Sequence, residues 1–148
     1  MSRSEISVNK FKEGFNCSQS VLFSFADCLG MSEDNALKIM TGFGAGMGRR
    51  QEICGAVSGG IAVLSMLYGR TGSDDRQKSE ETYDKTRKLI EAFISNYGTA
   101  NCLSLLGGCR LLSEEGQQRF KDENMIEHCY DFVRFVIEHL ENEINEDR

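Results

Sequence analysis

The chain has 148 residues, of which 40% are hydrophobic and 27% are charged, and its formal net charge is −6. These are ordinary globular values that exclude a disordered chain, and the length fits one domain over residues 1–148 that buries roughly 70% of its unfolded surface. The negative charge and the lack of a long basic block argue against nucleic acid as the main partner, because phosphate binding depends on clustered Lys and Arg.

The first residues, MSRSEISVNKFKEGF, lack the apolar core of a signal peptide, and this predicts a cytoplasmic protein. The longest uncharged run, residues 53–69, contains four glycines and two serines, so it predicts a buried helix and no membrane insertion. Six cysteines in a cytoplasmic chain do not indicate a secreted disulfide framework. No CxxC motif occurs, so neither a zinc ribbon nor a thioredoxin-type motif is indicated.

No proline occurs, and the apolar residues recur at helical spacing, so the sequence predicts an all-α protein. The predicted fold is a single-domain helical bundle of about six or seven helices around a buried, Gly/Ala-rich central helix at 53–68. In chain order, the longer predicted helices cover residues 4–11, 17–29, 33–43, 53–68, 73–97, 113–123 and 125–145, and a further helical turn is predicted to begin at Cys102.

Four glycines occupy alternate positions between Gly42 and Gly48, just before the predicted central helix. Such glycines serve close backbone packing, an anion cradle or a flexible gate. The dinucleotide fingerprint is not met, because the sixth position counted from Gly42 is Met47, and no GKS or GKT follows to make a phosphate loop. A packing turn that leads to Cys54 is therefore the prediction.

Two cysteines follow an asparagine at a predicted helix start, Cys17 after Asn16 and Cys102 after Asn101. The asparagine caps the helix, and the partial positive charge of the first turn favours the thiolate. Cys28 lies in the last turn of its helix, where the dipole has the opposite sign, and it is predicted to pack.

Cys54 begins the apolar helix at 53–68, in which the small residues Gly55, Ala56, Gly59 and Gly60 leave a smooth face. Each glycine costs about 1 kcal/mol of helix stability relative to Ala. Their number therefore predicts that a neighbouring helix approaches closely enough for its side chains to reach Cys54.

The last predicted helix, 125–145, places Cys129 on its apolar face, so this thiol points inward. His128 is one position round the helix and is predicted at the surface or its boundary, and His139 is predicted to be exposed. Neither histidine stands in a recognisable motif, so a hydrolytic enzyme is not indicated.

Four segments carry a family resemblance: FNCSQSVL around Cys17, GFGAGMGR and CGAVSGG around Cys54, NCLSLLG around Cys102, and CYDFV around Cys129. With these segments in this order, the chain resembles the family labelled C_GCAxxG_C_C, whose members are described as small redox-active proteins. The label writes GCAxxG where this chain reads CGAxxG, which we take as notation or variation.

The resemblance implies four characteristic cysteines, which by position are Cys17, Cys54, Cys102 and Cys129. It also implies a redox role and frequent association with transporter genes. Cys28 and Cys109 fall outside the pattern, although Cys109 is close enough to Cys102 in sequence to substitute for it. A related helical module accompanies a haem protein, so an iron–sulfur role is conceivable, but covalent haem is not expected because no CxxCH occurs.

Three functions remain open. In the first, a thiol-based oxidoreductase, Cys54 attacks a disulfide or accepts sulfur, with its pKa lowered by the helix start and by Arg49 or Arg50. One of the other three characteristic cysteines then resolves the product. In the second, the four cysteines bind an iron–sulfur cluster or zinc. In the third, the chain is a non-catalytic helical interaction protein.

The partner is predicted to be an unidentified redox or transport-associated molecule. An exposed glycine face or a leftover apolar edge could also support a homodimer.

Overall fold

The structure, a computed structural model, describes residues 1–147 and is all-α, as predicted: within this range it has nine α-helices, a 310 turn at Thr41–Phe43 and no strand. The helices are α1 (Arg3–Lys12), α2 (Cys17–Leu29), α3 (Glu33–Ile39), α4 (Gly44–Met47), α5 (Gly55–Tyr68), α6 (Arg76–Tyr97), α7 (Cys102–Leu105), α8 (Glu114–Asp122) and α9 (Ile126–Glu146). No helix in the described range combines the length and the apolarity that a bilayer crossing requires.

Over residues 1–147 the seven longer helices correspond to predicted ones, and the single-turn segments α4 and α7 raise the count to nine. Two boundaries differ by three residues or more, and the others agree within two. The helix predicted at 33–43 ends at Ile39, because the chain leaves helical geometry at Met40 and tightens into the 310 turn. The helix predicted from residue 73 begins at Arg76, since Asp75 lies outside the helical region (φ −93°, ψ 46°).

Short polar residues fix two helix starts where the sequence predicts them. Asn16 caps α2 by accepting a hydrogen bond from the Gln19 N–H at 2.9 Å, and the Gln19 side chain accepts one from the Asn16 N–H at 2.9 Å. Asn101 caps α7 by accepting from the Ser104 N–H at 2.9 Å. Each of these caps positions a first turn that carries a cysteine.

Glycines allow α5 to lie very close to its neighbours. Residues 55–60 are all buried, and α5 packs against α2, α6 and α9. A Cβ added to Gly59 would come within 2.9 Å of the Ser18 carbonyl oxygen on α2, and one added to Gly60 within 2.8 Å of Val136 on α9. The absence of side chains at these positions thus sets the spacing between the helices.

Gly60→Ala is expected to destabilise the fold by about 1–3 kcal/mol. The added methyl group would meet Val136 at 2.8 Å and Leu89 at 2.9 Å, so packed side chains would have to shift. Chemical denaturation measures the change in the free energy of unfolding. Gly42→Ala is the control, because a Cβ there meets no atom within 4 Å. Equal losses in the two variants would contradict the close packing of α5.

Candidate functional site

Cys17 is the first residue of α2, and its neighbours tie this helix start to the turn that precedes α4. The Asn16 Nδ2 donates to the Thr41 carbonyl oxygen at 3.0 Å. The Ser18 hydroxyl donates to the Met40 carbonyl oxygen at 2.9 Å. The first turn of α2 is therefore held against the glycine segment.

An isolated antiparallel bridge between Ile53 and Asn101 positions two more cysteines. The N–H groups of Cys54 and Cys102 donate to carbonyl oxygens of the opposite segment, at 2.8 and 2.6 Å. Side chains alternate between the two faces of an extended segment, so Cys54 and Cys102 lie on the same face of the bridge as diagonal neighbours. The start of α5 and the start of α7 are thereby brought together.

A cavity of about 160 Å³ is lined by all four cysteines that the family resemblance implies. They come from four places in the fold: Cys17 on α2, Cys54 at the N-cap of α5, Cys102 on α7 and Cys129 on α9. Most of the remaining wall is apolar and includes the rings of Phe11, Phe120 and Phe132. We call this space the cysteine cavity.

The other candidate side chains lie elsewhere. Cys28 was predicted to pack, and this is wrong, because its side chain is exposed on α2. Cys109 is buried in a second, smaller hydrophobic cluster, where its thiol donates to the Gly116 carbonyl oxygen at 3.1 Å. Cys109 does not line the cysteine cavity, although Cys102 and Cys129 pack against the cluster that contains it. His128 is exposed, as predicted, whereas His139, predicted to be exposed, is half-buried, and burial lowers its pKa.

The segment that leads to Cys54 contains a left-handed helical turn that the sequence did not predict. Five consecutive residues have positive φ: Ala45 (52°), Gly46 (65°), Met47 (71°), Gly48 (62°) and Arg49 (67°). Left-handed geometry costs about 1–2 kcal/mol at each residue that carries a Cβ. It persists only where surrounding contacts over-determine it.

Backbone hydrogen bonds to the residues before Cys54 hold this left-handed segment. The Gln51 N–H donates to the Ala45 carbonyl oxygen at 3.2 Å, and the Glu52 N–H donates to the Gly46 carbonyl oxygen at 2.9 Å. A Cβ on Gly46 would overlap the Gln51 backbone, so only glycine permits the approach. Of the three roles predicted for these glycines, the geometry supports close packing.

Gln51 is a buried residue of the site that sequence reasoning missed. Its Nε2 donates to the Cys109 carbonyl oxygen at 2.7 Å, and its Oε1 accepts from the Leu111 N–H at 2.9 Å. The same side chain acts against the rise in the pKa of Cys102. The partners of Gln51 lie 58 and 60 positions away in the chain, so no local pattern could have identified them.

Opposing effects act on the Cys17 thiol. Burial raises its pKa, and the nearby backbone N–H groups of Ala45, Ser18, Cys17 itself and Gly55 oppose the rise. The sulfur occupies the space that a Cβ on Gly55 would need. The helix start thus favours the thiolate as predicted, but burial outweighs it, and the expectation of a net preference for the thiolate is wrong.

The pKa of Cys54 is raised well above its ordinary value, so the predicted lowering is wrong. Burial is the main cause, negative charge on Cys17 and Cys102 adds to it, and two N–H groups at the start of α5 oppose it. Arg49 and Arg50, predicted to assist, are both exposed on the protein surface.

The same causes act on the remaining two cavity cysteines. Burial and a negative charge on Cys17 raise the pKa of Cys102 to about 12, and they also raise that of Cys129. Ionising one thiol therefore makes the next ionisation harder. At neutral pH the four cysteines line the cavity as uncharged thiols.

Cys102 is expected to react with iodoacetamide far more slowly than the exposed Cys28 at pH 8. The thiolate is the reactive form, and a thiol whose pKa is about 12 is only about 0.01% ionised at that pH. Because the shift is upward, the rate rises with pH, by about tenfold per unit below pH 12. Peptide mapping by mass spectrometry measures both rates. Equal rates at pH 8 would contradict control by burial.

Within residues 1–147, no three His, Cys, Asp or Glu side chains come close enough together to hold a single metal ion. This arrangement gives the predicted zinc alternative no support. An iron–sulfur cluster is larger than one ion and takes four cysteine thiolates as ligands. Four thiols spaced around a cavity are therefore compatible with the cluster alternative.

Comparison with known proteins gives a family match and a relative. Residues 15–143 match the family described as “Putative redox-active protein (C_GCAxxG_C_C)”. An uncharacterized protein from Archaeoglobus fulgidus is 30% identical over 121 residues, which cover 76% of this chain and 80% of the relative. No solved structure matches the chain significantly. The range of the family match includes all four cavity cysteines.

Proposed function

Because the chain belongs to the family described as “Putative redox-active protein (C_GCAxxG_C_C)”, we propose that its redox chemistry is a reversible two-electron thiol–disulfide exchange in the cysteine cavity. The supporting observation is that four cysteines from distant parts of the chain line one cavity. A cysteine that only packs contacts side chains on all sides, whereas these four border a shared space. This favours a chemical role over a purely structural one.

Cys17 and Cys54 are the pair that we assign to the exchange. The Cys17 sulfur lies against Gly55, the residue next to Cys54, and the charge of Cys17 is the largest electrostatic influence on the Cys54 thiol. A disulfide needs Cβ atoms about 3.5–4.5 Å apart. Cys54 and Cys102 are diagonal neighbours across the bridge. Residues in such an arrangement are about 7–8 Å apart, so a disulfide between these two cysteines would need the backbone to move.

Cys17 is the attacking thiol in this proposal, in place of the Cys54 that the sequence suggested. The backbone N–H groups near its sulfur would stabilise the thiolate that forms when the proton leaves. Its sulfur attacks one sulfur of a partner disulfide, and the first partner thiolate leaves and takes up that proton. A mixed disulfide between Cys17 and the partner remains.

The Cys54 thiol resolves the mixed disulfide. Its sulfur attacks the Cys17 sulfur, the second partner thiolate leaves with the Cys54 proton, and a Cys17–Cys54 disulfide forms. The two cysteines are oxidised and the partner disulfide is reduced, with two electrons transferred and no net change in protons. The reverse sequence reduces the protein.

Equilibration in a thiol–disulfide redox buffer tests the proposal. We expect a single two-electron transition in which two thiols per chain are lost, and peptide mapping should assign both to Cys17 and Cys54. Cys28 serves as the internal reference, because it is exposed and outside the cavity. Oxidation confined to Cys28, or no reversible loss of cavity thiols, would overturn the proposal.

A second candidate function is one-electron transfer by an iron–sulfur cluster in the same cavity. It is favoured by the spacing of the thiols around a cavity and by the backbone N–H groups near Cys17, since hydrogen bonds to the sulfurs tune clusters. The residues that would hold the cluster are Cys17, Cys54, Cys102 and Cys129. Phe11, Phe120 and Phe132 would exclude water from it.

Anaerobic reconstitution with iron and sulfide, followed by metal and sulfide analysis, separates the two candidates. Bound iron and sulfide in stoichiometric amounts, with the four cavity cysteines protected from alkylation, would favour the cluster. If the protein stays colourless and metal-free after reconstitution, the cluster is excluded and thiol–disulfide exchange remains as the candidate function.

We also infer that residues 1–148 form one domain with α5 as its central helix. The burial of residues 55–60 and the contacts of α5 with α2, α6 and α9 support this. A cytoplasmic location, a homodimer and a link to a transport system stay predictions from the sequence.

A further inference from the structure

A surface cleft of about 480 Å³ lies next to the cysteine cavity. Arg49, Leu111, Gln117, Phe120 and Lys121 line it, and we call it the basic cleft. Leu111 and Phe120 line the cysteine cavity as well, so these two side chains alone form the wall that the spaces share. A molecule in the basic cleft is thus adjacent to the buried thiols.

Both charged side chains of the basic cleft are cationic. Arg49 and Lys121 are exposed, and neither makes an ion pair with another of residues 1–147. The chain as a whole carries a net charge of −6. Two unpaired cations on an acidic protein, at a cleft that shares a wall with the cysteine cavity, create a local attraction for anions.

One side of the shared wall is fixed and the other is not. The Leu111 N–H donates to Gln51 Oε1 at 2.9 Å, and the Leu111 carbonyl oxygen accepts from Gln117 Nε2 at 2.9 Å. Phe120 is half-buried, and its ring has no polar atom to hold it. Phe120 packs against the cluster of Leu106, Cys109 and Met125, and a rotation of its side chain would connect the basic cleft with the cysteine cavity.

We propose that the basic cleft binds a small disulfide carrying carboxylate groups and presents it to the cavity cysteines; this inference rests on the thiol–disulfide exchange proposed above. The volume of the cleft falls within the roughly 300–1,000 Å³ of small-molecule sites. Cys17, the attacking thiol, lines the cavity behind Leu111 and Phe120, so a disulfide that enters from the cleft has to pass these two side chains to reach it. A small disulfide passes Phe120 while its carboxylates pair with Arg49 and Lys121.

The experiment compares three small disulfides as oxidants of the reduced full-length protein at pH 9 and low salt. The probes are glutathione disulfide, which is anionic, bis(2-hydroxyethyl) disulfide, which is neutral, and cystamine, which is cationic. Each rate of thiol loss at the cavity cysteines is divided by the rate of the same disulfide with dithiothreitol, which removes differences in intrinsic reactivity. The anionic probe should be about tenfold faster than the neutral one, and the advantage should shrink with added salt.

Arg49→Gln combined with Lys121→Gln should remove most of that tenfold advantage and leave the rate with the neutral probe unchanged. Arg76→Gln combined with Lys78→Gln is the matched control, since both residues are exposed at the start of α6 and also make no ion pair within the described range. Equal normalised rates for the three probes, or an equal loss in the control variant, would overturn the inference. Faster oxidation by a protein disulfide than by all three probes would also overturn it.

Binding of S-methylglutathione, which cannot exchange, tests the basic cleft without the redox step. If no disulfide oxidises the cavity cysteines, the proposed function fails. Calorimetry with this unreactive anion still shows whether the basic cleft binds anions. Binding to the native chain that is lost in the Arg49→Gln, Lys121→Gln variant supports the anion site. Absence of binding overturns it.

Discussion

Cys17→Ser is expected to abolish the reversible two-electron transition, whereas Cys28→Ser is expected to leave it unchanged. Cys17 is the cavity cysteine whose charge raises the pKa of the three others, and its sulfur lies beside the start of α5. Serine preserves the shape of the side chain but removes the sulfur. The number of thiols lost at equilibrium should fall from two per chain to none.

Thiol counting by alkylation and mass spectrometry, in the redox buffer used for the native chain, measures the effect of Cys17→Ser. Cys129→Ser is a second control within the cavity, because it removes a lining thiol and leaves the Cys17–Cys54 pair in place. If Cys17→Ser still loses two thiols, from Cys54 and Cys102, then the pairing assigned here is wrong. If Cys129→Ser loses the transition as well, the four thiols act as one unit, as ligands of a cluster would.

Local chemistry determined much of the fold, and this part could be predicted. A short side-chain oxygen at Asn16 or Asn101 satisfies free N–H groups one turn away, so the residues themselves reveal the helix start. The spacing of apolar residues revealed the longer helices, because this pattern is also local in the sequence. The start predicted at residue 73 was wrong by three residues, since α6 begins at Arg76 after an N-cap residue, Asp75, whose side chain makes no capping hydrogen bond.

The pKa shifts of the thiols depend on contacts between distant residues, and the sequence predicted them in the wrong direction. A helix start favours a thiolate through its own N–H groups, and this local effect is present at Cys17. Burial in a cavity assembled from α2, α5, α7 and α9 is a tertiary property, and it outweighs the local one. The pKa of Cys54 is raised instead of lowered for the same reason.

The left-handed segment escaped prediction because three of its five residues have no preference for positive φ. Gly46 and Gly48 permit the geometry, but Ala45, Met47 and Arg49 adopt it only because the segment is held by Gln51 and Glu52. The resulting turn places Ala45 in the wall of the cysteine cavity and Arg49 in the wall of the basic cleft. The strained backbone thus links the cavity to its surroundings.

Gly55→Ala is expected to have the second large effect, because the new Cβ would occupy the position of the Cys17 sulfur. Overpacking of this kind costs about 1–3 kcal/mol of stability. The displaced Cys17 side chain also loses the N–H groups that stabilise its thiolate, so formation of the Cys17–Cys54 disulfide should slow by about tenfold or more, the factor that about 1.4 kcal/mol of lost stabilisation would give.

Gly59→Ala separates the two consequences of Gly55→Ala. Its Cβ would also press on α2, coming within 2.9 Å of the Ser18 carbonyl oxygen and of Val21, but it would not touch the Cys17 sulfur. Both variants should lose stability in chemical denaturation, and only Gly55→Ala should slow disulfide formation at a temperature where both remain folded. Similar rates of disulfide formation in the two variants would show that the contact between the Cys17 sulfur and Gly55 has no part in the chemistry. Any change in rate would then come from poorer packing between α2 and α5.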